Sequence, residues 1–412
     1  MEQIEKIEKY ILVAVSTEEE EAAYASLEEL AELVRTDGAE VACLVVQNLD
    51  HPDRATYVGS GKALEIKEMI EVQEADGIIC DDELTPSQFR NLSDTIQAKV
   101  LDRTLLILDI FAAHAKTKEG KIQVEIAQQK YRASRLRGMG EAMSRLGGGI
   151  GTRGPGETKL ETDRRVIQKR IKVLSDEIED MKRVRATTRK KRSESATPTV
   201  AIVGYTNAGK STLLNHVTEA GILAENKLFA TLDPTTRTAV LPDGQSVLLT
   251  DTVGFINKLP HHLIDAFRST LEEAKYADII MHVIDASNPQ WELHRKVVLD
   301  TLKELEVIGK PVITVWNKCD LLPEGEKMQD FQSDASVMIS AKKGQGLDTL
   351  FEELGRIIRE SRTYVDTILA YSEMGVLEQI RKYGQLLEEK YEGEGIHVKA
   401  YVPQALKYLA DR

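Results

Sequence analysis

Residues 199–212 read TVAIVGYTNAGKST, and this stretch indicates both the fold and the chemistry of the chain. The apolar run at 200–203 has strand character and ends at Gly204, and an apolar helical pattern begins after Ser211. The pattern G-x-x-x-x-G-K-[ST] between a strand and a helix is typical of a phosphate-binding loop. Its backbone N–H groups and the positive end of the helix can hold a polyphosphate. We expect Lys210 to reach the β and γ phosphates and Ser211 to offer its hydroxyl to magnesium.

The composition is that of a reduced, cytoplasmic protein with several domains. A chain of 412 residues is long enough for about two to four domains. No apolar run approaches the roughly 18 residues that a membrane span needs, and the charged start MEQIEKIEKY lacks the apolar core of a signal peptide. Cys43, Cys80 and Cys319 lie far apart, which indicates neither a metal site nor a disulfide framework. We expect a monomer when the protein is free.

The charge of the chain is unevenly distributed. The net charge is −13, yet residues 116–194 contain 22 Lys or Arg and 11 Asp or Glu, a net charge of +11. The remainder therefore carries −24. One basic segment in an acidic protein indicates an anionic partner bound at that segment.

Residues 1–104 alternate strand and helix patterns, which predicts a small α/β domain with a mostly parallel sheet. Residues 57–62, YVGSGK, resemble the start of a second phosphate loop, but they lack its spacing and the Ser or Thr after the lysine. We interpret Gly61 and Lys62 as a turn that enters a helix. A weaker anion or RNA contact is the alternative.

Residues 105–196 predict two long antiparallel helices joined by a flexible tip. Apolar residues recur at helical spacing on both sides of residues 147–156, which contain six glycines with Arg145 and Arg153 nearby. That density of glycine is incompatible with a packed helix. Positive charge beside such a tip favours a phosphate-lined surface, and structured RNA fits better than B-DNA because the sequence contains no recognition-helix or zinc-module pattern.

The first of four further motifs within residues 197–362 is FATLDPTT at 229–236. It lies where a mobile loop can supply a second hydroxyl to magnesium. We assign this role to Thr231, with Thr235 or Thr236 as the alternatives.

The other three motifs each follow a predicted strand. In residues 251–254, DTVG, the first carboxylate can hold magnesium through a water and the Gly254 amide can sense the γ-phosphate. In residues 317–320, NKCD, the final carboxylate can accept both N1–H and N2–H of guanine, a donor pair that adenine lacks. The backbone of residues 340–342, SAK, can face guanine O6. In this order, the motifs predict GTP bound at the carboxyl edge of a doubly wound sheet.

Phe255 follows Gly254, at the position where many GTPases place a glutamine that orients water. A phenyl ring cannot orient or deprotonate water, so we expect slow intrinsic hydrolysis or help from elsewhere. One source is a potassium ion at Asn207, as in some related GTPases, although a local hydrogen bond within the loop is an equal alternative for this residue. The other source is a partner surface that orders the loops of Thr231 and Phe255.

Residues 363–412 predict a small α+β domain in the order strand, helix, strand and short helix, with the helix at 373–387. Nothing in this segment indicates chemistry, and His397 lies in an alternating strand pattern that favours a structural role.

The candidate site residues come from the loops described above. We assign catalysis to Asn207, Lys210, Thr231 and Gly254, and metal binding to Ser211, Thr231 and Asp251. The nucleotide-binding set is Gly204, Tyr205, Thr206, Asn207, Ala208, Gly209, Lys210, Ser211, Thr212, Phe229, Ala230, Thr231, Asp251, Thr252, Val253, Gly254, Asn317, Lys318, Asp320, Ser340, Ala341 and Lys342.

Taken together, these motifs resemble the HflX family of ribosome-associated GTPases over about residues 5–360. The resemblance rests on YVGSGK at 57–62, GGGIGTRGPGETKLE at 147–161, FATLDPTTR at 229–237 and DTVGFI at 251–256. The glycine-rich stretch is the most diagnostic, because many GTPases share the nucleotide motifs.

The resemblance implies an N-terminal α/β domain, a helical hairpin and a P-loop GTPase domain, with a C-terminal domain in some members. It implies binding to the large ribosomal subunit and separation of stalled or stress-damaged 70S ribosomes, with the tip of the hairpin directed toward the peptidyl-transferase centre. It further implies ATP hydrolysis as a secondary activity, which the argument from Asp320 does not predict.

The sequence is compatible with three functions, of which the first is the leading hypothesis. The first is a ribosome-stimulated GTPase whose GTP form binds rRNA, wedges the subunits apart and leaves after hydrolysis. Assembly of the large subunit shares every sequence feature with it. A regulatory GTPase switch with a protein target on an acidic terminal domain is the alternative of another class.

Overall fold

The computed structural model describes residues 6–17, 19–146, 155–193, 197–218, 228–229, 234–260, 263 and 273–411, and of 137–146, 155–160, 185–193, 404–405 and 411 it describes the backbone alone. The chain forms two compact units. The first contains Met1–Met181, Lys227–Phe229 and Lys258–Phe267, and the second contains Lys182–Asn226, Ala230–Asn257 and Arg268–Arg412. Most of the glycine-rich tip, and Ala230 and Thr231, lie outside the described residues.

The first unit begins with a four-stranded parallel sheet. Its elements are β1 (Lys9–Ser16), α1 (Glu20–Thr36), β2 (Glu40–Asn48), α2 (Ser60–Gln73), β3 (Gly77–Cys80), α3 (Pro86–Ile96) and β4 (Lys99–Asp102). The strand order is β2-β1-β3-β4, and every neighbouring pair is parallel. Parallel neighbours need crossover connections, which the helices provide. The predicted α/β domain is thus confirmed, and Gly61 and Lys62 lie within the first turn of α2 rather than before it.

Two long helices follow a short one and form the predicted antiparallel hairpin. The elements are α4 (Arg103–His114), α5 (Lys118–Leu146) and α6 (Pro155–Ser193). Their apolar contact consists of Ile122, Ile126, Leu174 and Ile178. Glu125 accepts hydrogen bonds from Arg170 at 2.6 and 3.0 Å, and Lys118 pairs with Glu177. Residue numbers rise along α5 as they fall along α6, so the helices are antiparallel.

The second unit contains a six-stranded sheet with one antiparallel edge strand. Its elements are β5 (Thr199–Gly204), α7 (Lys210–Thr218), β6 (Thr235–Val240), β7 (Ser246–Asp251), β8 (Ile279–Asp285), α8 (Trp291–Glu304), β9 (Val312–Asn317), β10 (Ala335–Met338) and α9 (Leu347–Glu360). The strand order is β10-β9-β8-β5-β7-β6, with β6 antiparallel to β7. After β5 the chain continues toward the β6 edge of the sheet, and after β8 it continues toward the β10 edge. The crevice at their carboxyl ends is where doubly wound sheets bind ligands.

The chain closes with a three-stranded antiparallel sheet, one α-helix and, at the predicted short helix, a 3₁₀ helix (Gln404–Asp411). The elements are β11 (Thr363–Leu369), α10 (Met374–Tyr383), β12 (Gln385–Glu392) and β13 (Gly395–Val402), in the strand order β11-β13-β12. The prediction of a helix up to residue 387 was wrong, because α10 ends at Tyr383. A Cβ at Gly384 would lie 2.7 Å from the carbonyl oxygen of Ile380 and 2.9 Å from that of Tyr401, so the backbone passes too closely for a larger residue. The pairing of β12 with β13 overrides helical propensity after this glycine.

The described helices can also be compared with the dimensions of a bilayer. Within the part of the chain that the structure describes, no helix is long and apolar enough to cross a membrane.

Candidate nucleotide-binding site

The phosphate loop between β5 and α7 follows a path that two glycines make possible. A Cβ at Gly204 would lie 2.2 Å from the carbonyl oxygen of Val283 on β8. Gly209 has a φ of +93°, and a Cβ there would lie 2.2 Å from the side-chain nitrogen of Asn317. Both contacts are shorter than any real Cβ contact. The two glycines of the motif are therefore required by the fold as well as by a ligand's approach.

Lys210 is buried under the loop that it follows in the motif. Its ammonium donates to the carbonyl oxygens of Gly204 at 3.0 Å and Tyr205 at 2.8 Å. Burial lowers the pKa of Lys210 to about 8, although the charge of Asp251 opposes this shift. The lysine is thus a buried cation whose hydrogen-bond partners are neutral carbonyl groups, and an anionic phosphate would stabilise its charge.

Ser211 and Asp251 lie together where the magnesium ion was predicted. The Ser211 hydroxyl, in the first turn of α7, donates to the Asp251 carboxylate at the end of β7 over 2.7 Å. Among the described residues, no three His, Cys, Asp or Glu side chains gather as a metal group. Magnesium in nucleotide sites takes one or two protein oxygens beside waters and phosphate oxygens, so a hydroxyl and a carboxylate fit this ion. Thr231 lies outside the described residues.

Asn317 connects the phosphate loop to the loops of the NKCD and SAK motifs. Its amide nitrogen donates to the carbonyl oxygen of Ala208 at 2.8 Å, and its amide oxygen accepts from the backbone N–H of Ala341 at 3.0 Å. Lys318 has a φ of +61° and its ammonium bonds to Asp285 at 2.7 Å. The side chain of Asn317 therefore fixes the relative positions of three loops.

Asp320 is surrounded by groups that favour its ionised form. A hydrogen bond from Ser340 lowers the pKa of Asp320, and the ammonium of Lys343, 3.2 Å from the carboxylate, lowers it further. An ionised carboxylate accepts hydrogen bonds and donates none, which matches the N1–H and N2–H pair of guanine. The sequence interpretation missed Lys343, although this residue directly follows the SAK motif.

Phe255 does not expose its ring at the site. Its side chain is 2% exposed, and its backbone lies beside the phosphate loop. The Phe255 N–H donates to the Gly204 carbonyl at 3.1 Å, and the Thr206 N–H donates to the Phe255 carbonyl at 2.7 Å. A Cβ at Gly254 would lie 2.8 Å from the Cα of Thr206, so the backbone at Gly254 lies too close to the phosphate loop for a larger residue. The ring therefore contributes nothing to the orientation of water.

Sequence reasoning also missed the contacts made by the side chain of Tyr205. Its hydroxyl accepts the backbone N–H of Asn257 at 2.6 Å. Its ring stacks on His294 of α8 with a centroid distance of 3.7 Å and an interplanar angle of 6°. No motif marks His294 or Asn257, because the contact joins three distant parts of the chain.

The loop that was predicted to supply a second hydroxyl to magnesium is described in part. Phe229 belongs to the first unit, where its ring packs edge-on against Phe111 at a centroid distance of 4.6 Å. Thr235 and Thr236 lie in β6, and the Thr236 hydroxyl is 3.0 Å from that of Thr250 on β7. The assignment to Thr231 stays a prediction.

Asn207 adopts a φ of +59° at the centre of the phosphate loop. Asparagine tolerates this left-handed conformation better than most residues do. The backbone alone thus accounts for an asparagine here, and a role of its side chain toward a cation stays a prediction.

Comparisons with known proteins cover nearly the whole chain. Three family models match, described as GTP-binding GTPase N-terminal over residues 24–112, GTP-binding GTPase middle region over 114–192, and 50S ribosome-binding GTPase over 199–318. The protein named GTPase HflX from Lacrimispora saccharolytica is 58% identical over 399 residues, which is 97% of this chain and 94% of that protein. GTPase HflX from Escherichia coli K12 is 42% identical over 331 residues, 80% of this chain and 78% of that protein.

A solved structure described as the complex of SsGBP with GDP is 28% identical and covers 85% of this chain and 98% of that chain, with a TM-score of 0.48. That score supports no conclusion by itself, and the family assignment rests on the sequence identities. Relatives that share about half of their residues with nearly the full chain, together with the guanine-nucleotide loops described above, establish that the protein is a GTP hydrolase and belongs to the HflX family.

Proposed function

We propose that this GTPase binds the large ribosomal subunit and separates stalled or stress-damaged 70S ribosomes into subunits. The observation that supports this most is the charge distribution along the hairpin of α5 and α6. Residues 130–172, which include its distal part, contain twelve Lys or Arg and four Asp or Glu. Residues 173–181, near its base, contain four Asp or Glu and no Lys or Arg. Within residues 130–181, positive charge is therefore concentrated away from the apolar contact of the two helices, and residues 182–192 at the far end of α6 carry a second basic cluster of seven Lys or Arg.

The packing of the hairpin leaves the charge at residues 161–170 accessible. Residues 161–170 of α6 are exposed apart from the partly buried Ile167, whereas Leu174 and Ile178 are buried against α5. An exposed basic helical surface is suited to contact the phosphates of structured RNA, because proteins recognise such RNA through charge and shape more than through base edges. The match of residues 199–318 to a model described as a 50S ribosome-binding GTPase supports the same partner.

In this proposal the nucleotide controls the affinity for the ribosome. GTP orders the loops of Thr231 and Phe255, the GTP form wedges between the subunits, and hydrolysis releases the protein. Ser211 and Asp251 would hold a magnesium ion, which neutralises charge on the phosphates when it is bound. We further propose that Asn207 holds a potassium ion, and equal hydrolysis rates in sodium and potassium would contradict this.

The experiment is sedimentation of 70S ribosomes through sucrose gradients with the full chain and GTP, a non-hydrolysable analogue or GDP. We expect GTP and the analogue to convert the 70S peak into subunits and GDP to leave it intact. Large subunits should also stimulate GTP hydrolysis. No stimulation and no splitting would contradict the proposal, and stimulation without splitting would favour a role in assembly.

Matched charge reversals test the hairpin itself. Arg164→Glu with Lys169→Glu changes two exposed distal residues, and Lys116→Glu with Lys121→Glu makes the same change in charge near the base. The distal pair should weaken binding to large subunits at least about tenfold and reduce the salt slope by about 2. Equal losses for the two pairs would show that net charge, and not the distal surface, determines binding.

A further inference from the structure

Tyr205 joins the phosphate loop to the segment that follows the DTVG motif. Its hydroxyl oxygen accepts the backbone N–H of Asn257 at 2.6 Å, and its ring is 5% exposed. The backbone on either side of Tyr205 makes two more bonds to the same segment, to the N–H and the carbonyl oxygen of Phe255. Residues 255–257 are thus held on the loop by three hydrogen bonds, one of which uses a side chain.

The ring of Tyr205 is itself fixed by α8. His294 stacks on it with a centroid distance of 3.7 Å and an interplanar angle of 6°. Burial lowers the pKa of His294 to about 4, although the charge of Asp285 opposes this shift. The imidazole is therefore neutral at physiological pH, and it acts on Tyr205 as a flat, uncharged surface.

The position of this segment matters because Gly254 directly precedes it. The Gly254 amide must face the γ-phosphate, and the backbone there already lies so close to Thr206 that a Cβ would meet its Cα at 2.8 Å. The buried ring of Phe255 offers no group to the attacking water. Hydrolysis then depends on backbone groups whose placement must be accurate, since a displacement of about 1 Å can cost about 100-fold in rate.

We propose that Tyr205 is a positioning residue for GTP hydrolysis, whose hydroxyl holds the segment after Gly254 on the phosphate loop while His294 holds its ring. Tyr205 acts through the Asn257 backbone and does not touch the reacting atoms. The inference concerns hydrolysis itself and is independent of the ribosome.

Tyr205→Phe tests the hydroxyl, because the ring and its stacking on His294 remain. We expect the single-turnover rate of GTP hydrolysis by the full chain, without ribosomes, to fall about tenfold. The affinities for GTP and GDP should stay within about twofold, since the loop that binds the phosphates is unchanged. A loss in rate without a loss in affinity is the signature of positioning, which a general loss of structure would not give.

Tyr10→Phe is the matched control in the first unit. Tyr10 is also buried, and its hydroxyl donates to Glu8, away from the segment that follows Gly254. This variant should lower stability and leave hydrolysis unchanged. If both variants slow hydrolysis equally, the effect of Tyr205 is a loss of structure and the proposal is overturned.

Two substitutions of His294 test the stacking. His294→Phe retains a flat ring and should hydrolyse GTP at the wild-type rate, whereas His294→Ala removes the surface and should be slowed several-fold. The proposal is overturned if Tyr205→Phe keeps the wild-type rate, or if its affinity for GTP falls as much as its rate. Slow hydrolysis by both His294 variants would overturn the role of the stack.

Discussion

In the described part of the chain, each compact unit buries a long cation near the carboxyl ends of its parallel strands, and the two cations have opposite surroundings. Arg103, which follows β4, donates to the Asp81 carboxylate at 2.8 Å and pairs with Glu29. Lys210, which follows the phosphate loop, donates to two neutral carbonyl oxygens. Both side chains are nearly inaccessible to solvent. One cation is thus neutralised by its own chain, and the other has neutral hydrogen-bond partners.

The electrostatics of Asp81 show the consequence for the first unit. Burial by itself raises the pKa of Asp81, but Arg103 and Lys258 outweigh it, and the net pKa is lowered. Asp81 is fully buried and also accepts a hydrogen bond from Ser26 at 2.7 Å. Its charge is therefore satisfied within the fold.

The comparison teaches how to separate a structural cation from a ligand-binding one when both are buried. A cation surrounded by carboxylates has no need of an anion from outside. A cation that donates only to neutral carbonyl groups is compensated for its desolvation only in part, so a phosphate that completes its coordination stabilises it further. The same substitution in the two sites should therefore change stability in opposite directions.

Arg103→Met should produce the largest effect. Removing the guanidinium leaves Asp81 and Glu29 with less compensation for their charge, and breaking a buried pair costs about 3 kcal/mol or more. Urea unfolding followed by far-UV circular dichroism should show this loss. Arg170→Met breaks an exposed pair with Glu125 and should cost less than about 1 kcal/mol. Equal losses for the two variants would contradict the assignment of Arg103 as a structural cation.

Lys210→Met should change the stability of the free protein in the opposite direction. The methionine removes a cation whose burial is unfavourable, so the free protein should gain about 1 kcal/mol at pH 7, while GTP hydrolysis falls by about 100-fold or more. Trp291 and Trp316 lie in the same unit, and their fluorescence reports its unfolding. A loss of stability as large as that of Arg103→Met would remove the distinction between the two cations.

The pH dependence of stability gives a second check on whether burial of the charged Lys210 side chain destabilises the free protein. The pKa of Lys210 is about 8 in the folded protein against an ordinary value of 10.5, so the unfolded chain binds more protons between these values. The wild-type protein should therefore gain stability relative to Lys210→Met as the pH rises from 8 to 10.

The nucleotide loops could be predicted from the sequence because each is encoded locally. The backbone path from Gly204 to Ser211 depends on residues within one short motif, and the position of Asp320 depends on the strand that precedes it. The antiparallel hairpin was predictable for a similar reason, since apolar residues such as Ile122 and Leu174 recur at helical spacing.

The remaining features depend on contacts between distant parts of the chain. The contact of Tyr205 with Asn257 and His294 has no local signature, and neither does the pairing of Arg103 with Glu29. The end of α10 at Tyr383 was missed because strand pairing across β12 and β13 decides it. Local propensity cannot report such tertiary effects.

The smallest effect that we expect is on the pH dependence of nucleotide affinity. GTP needs the ammonium form of Lys210, and a pKa of about 8 means that the protonated fraction falls about fourfold between pH 7 and pH 8.5. The affinity for GTP, measured by titration at constant ionic strength, should therefore fall about fourfold over this interval. Lys210→Arg keeps its charge throughout, so its affinity should not change with pH, however tightly it binds. A wild-type affinity that is equally flat would mean that the carbonyl-lined environment does not lower the pKa of Lys210, and the contrast with Arg103 would then rest on hydrogen bonding alone.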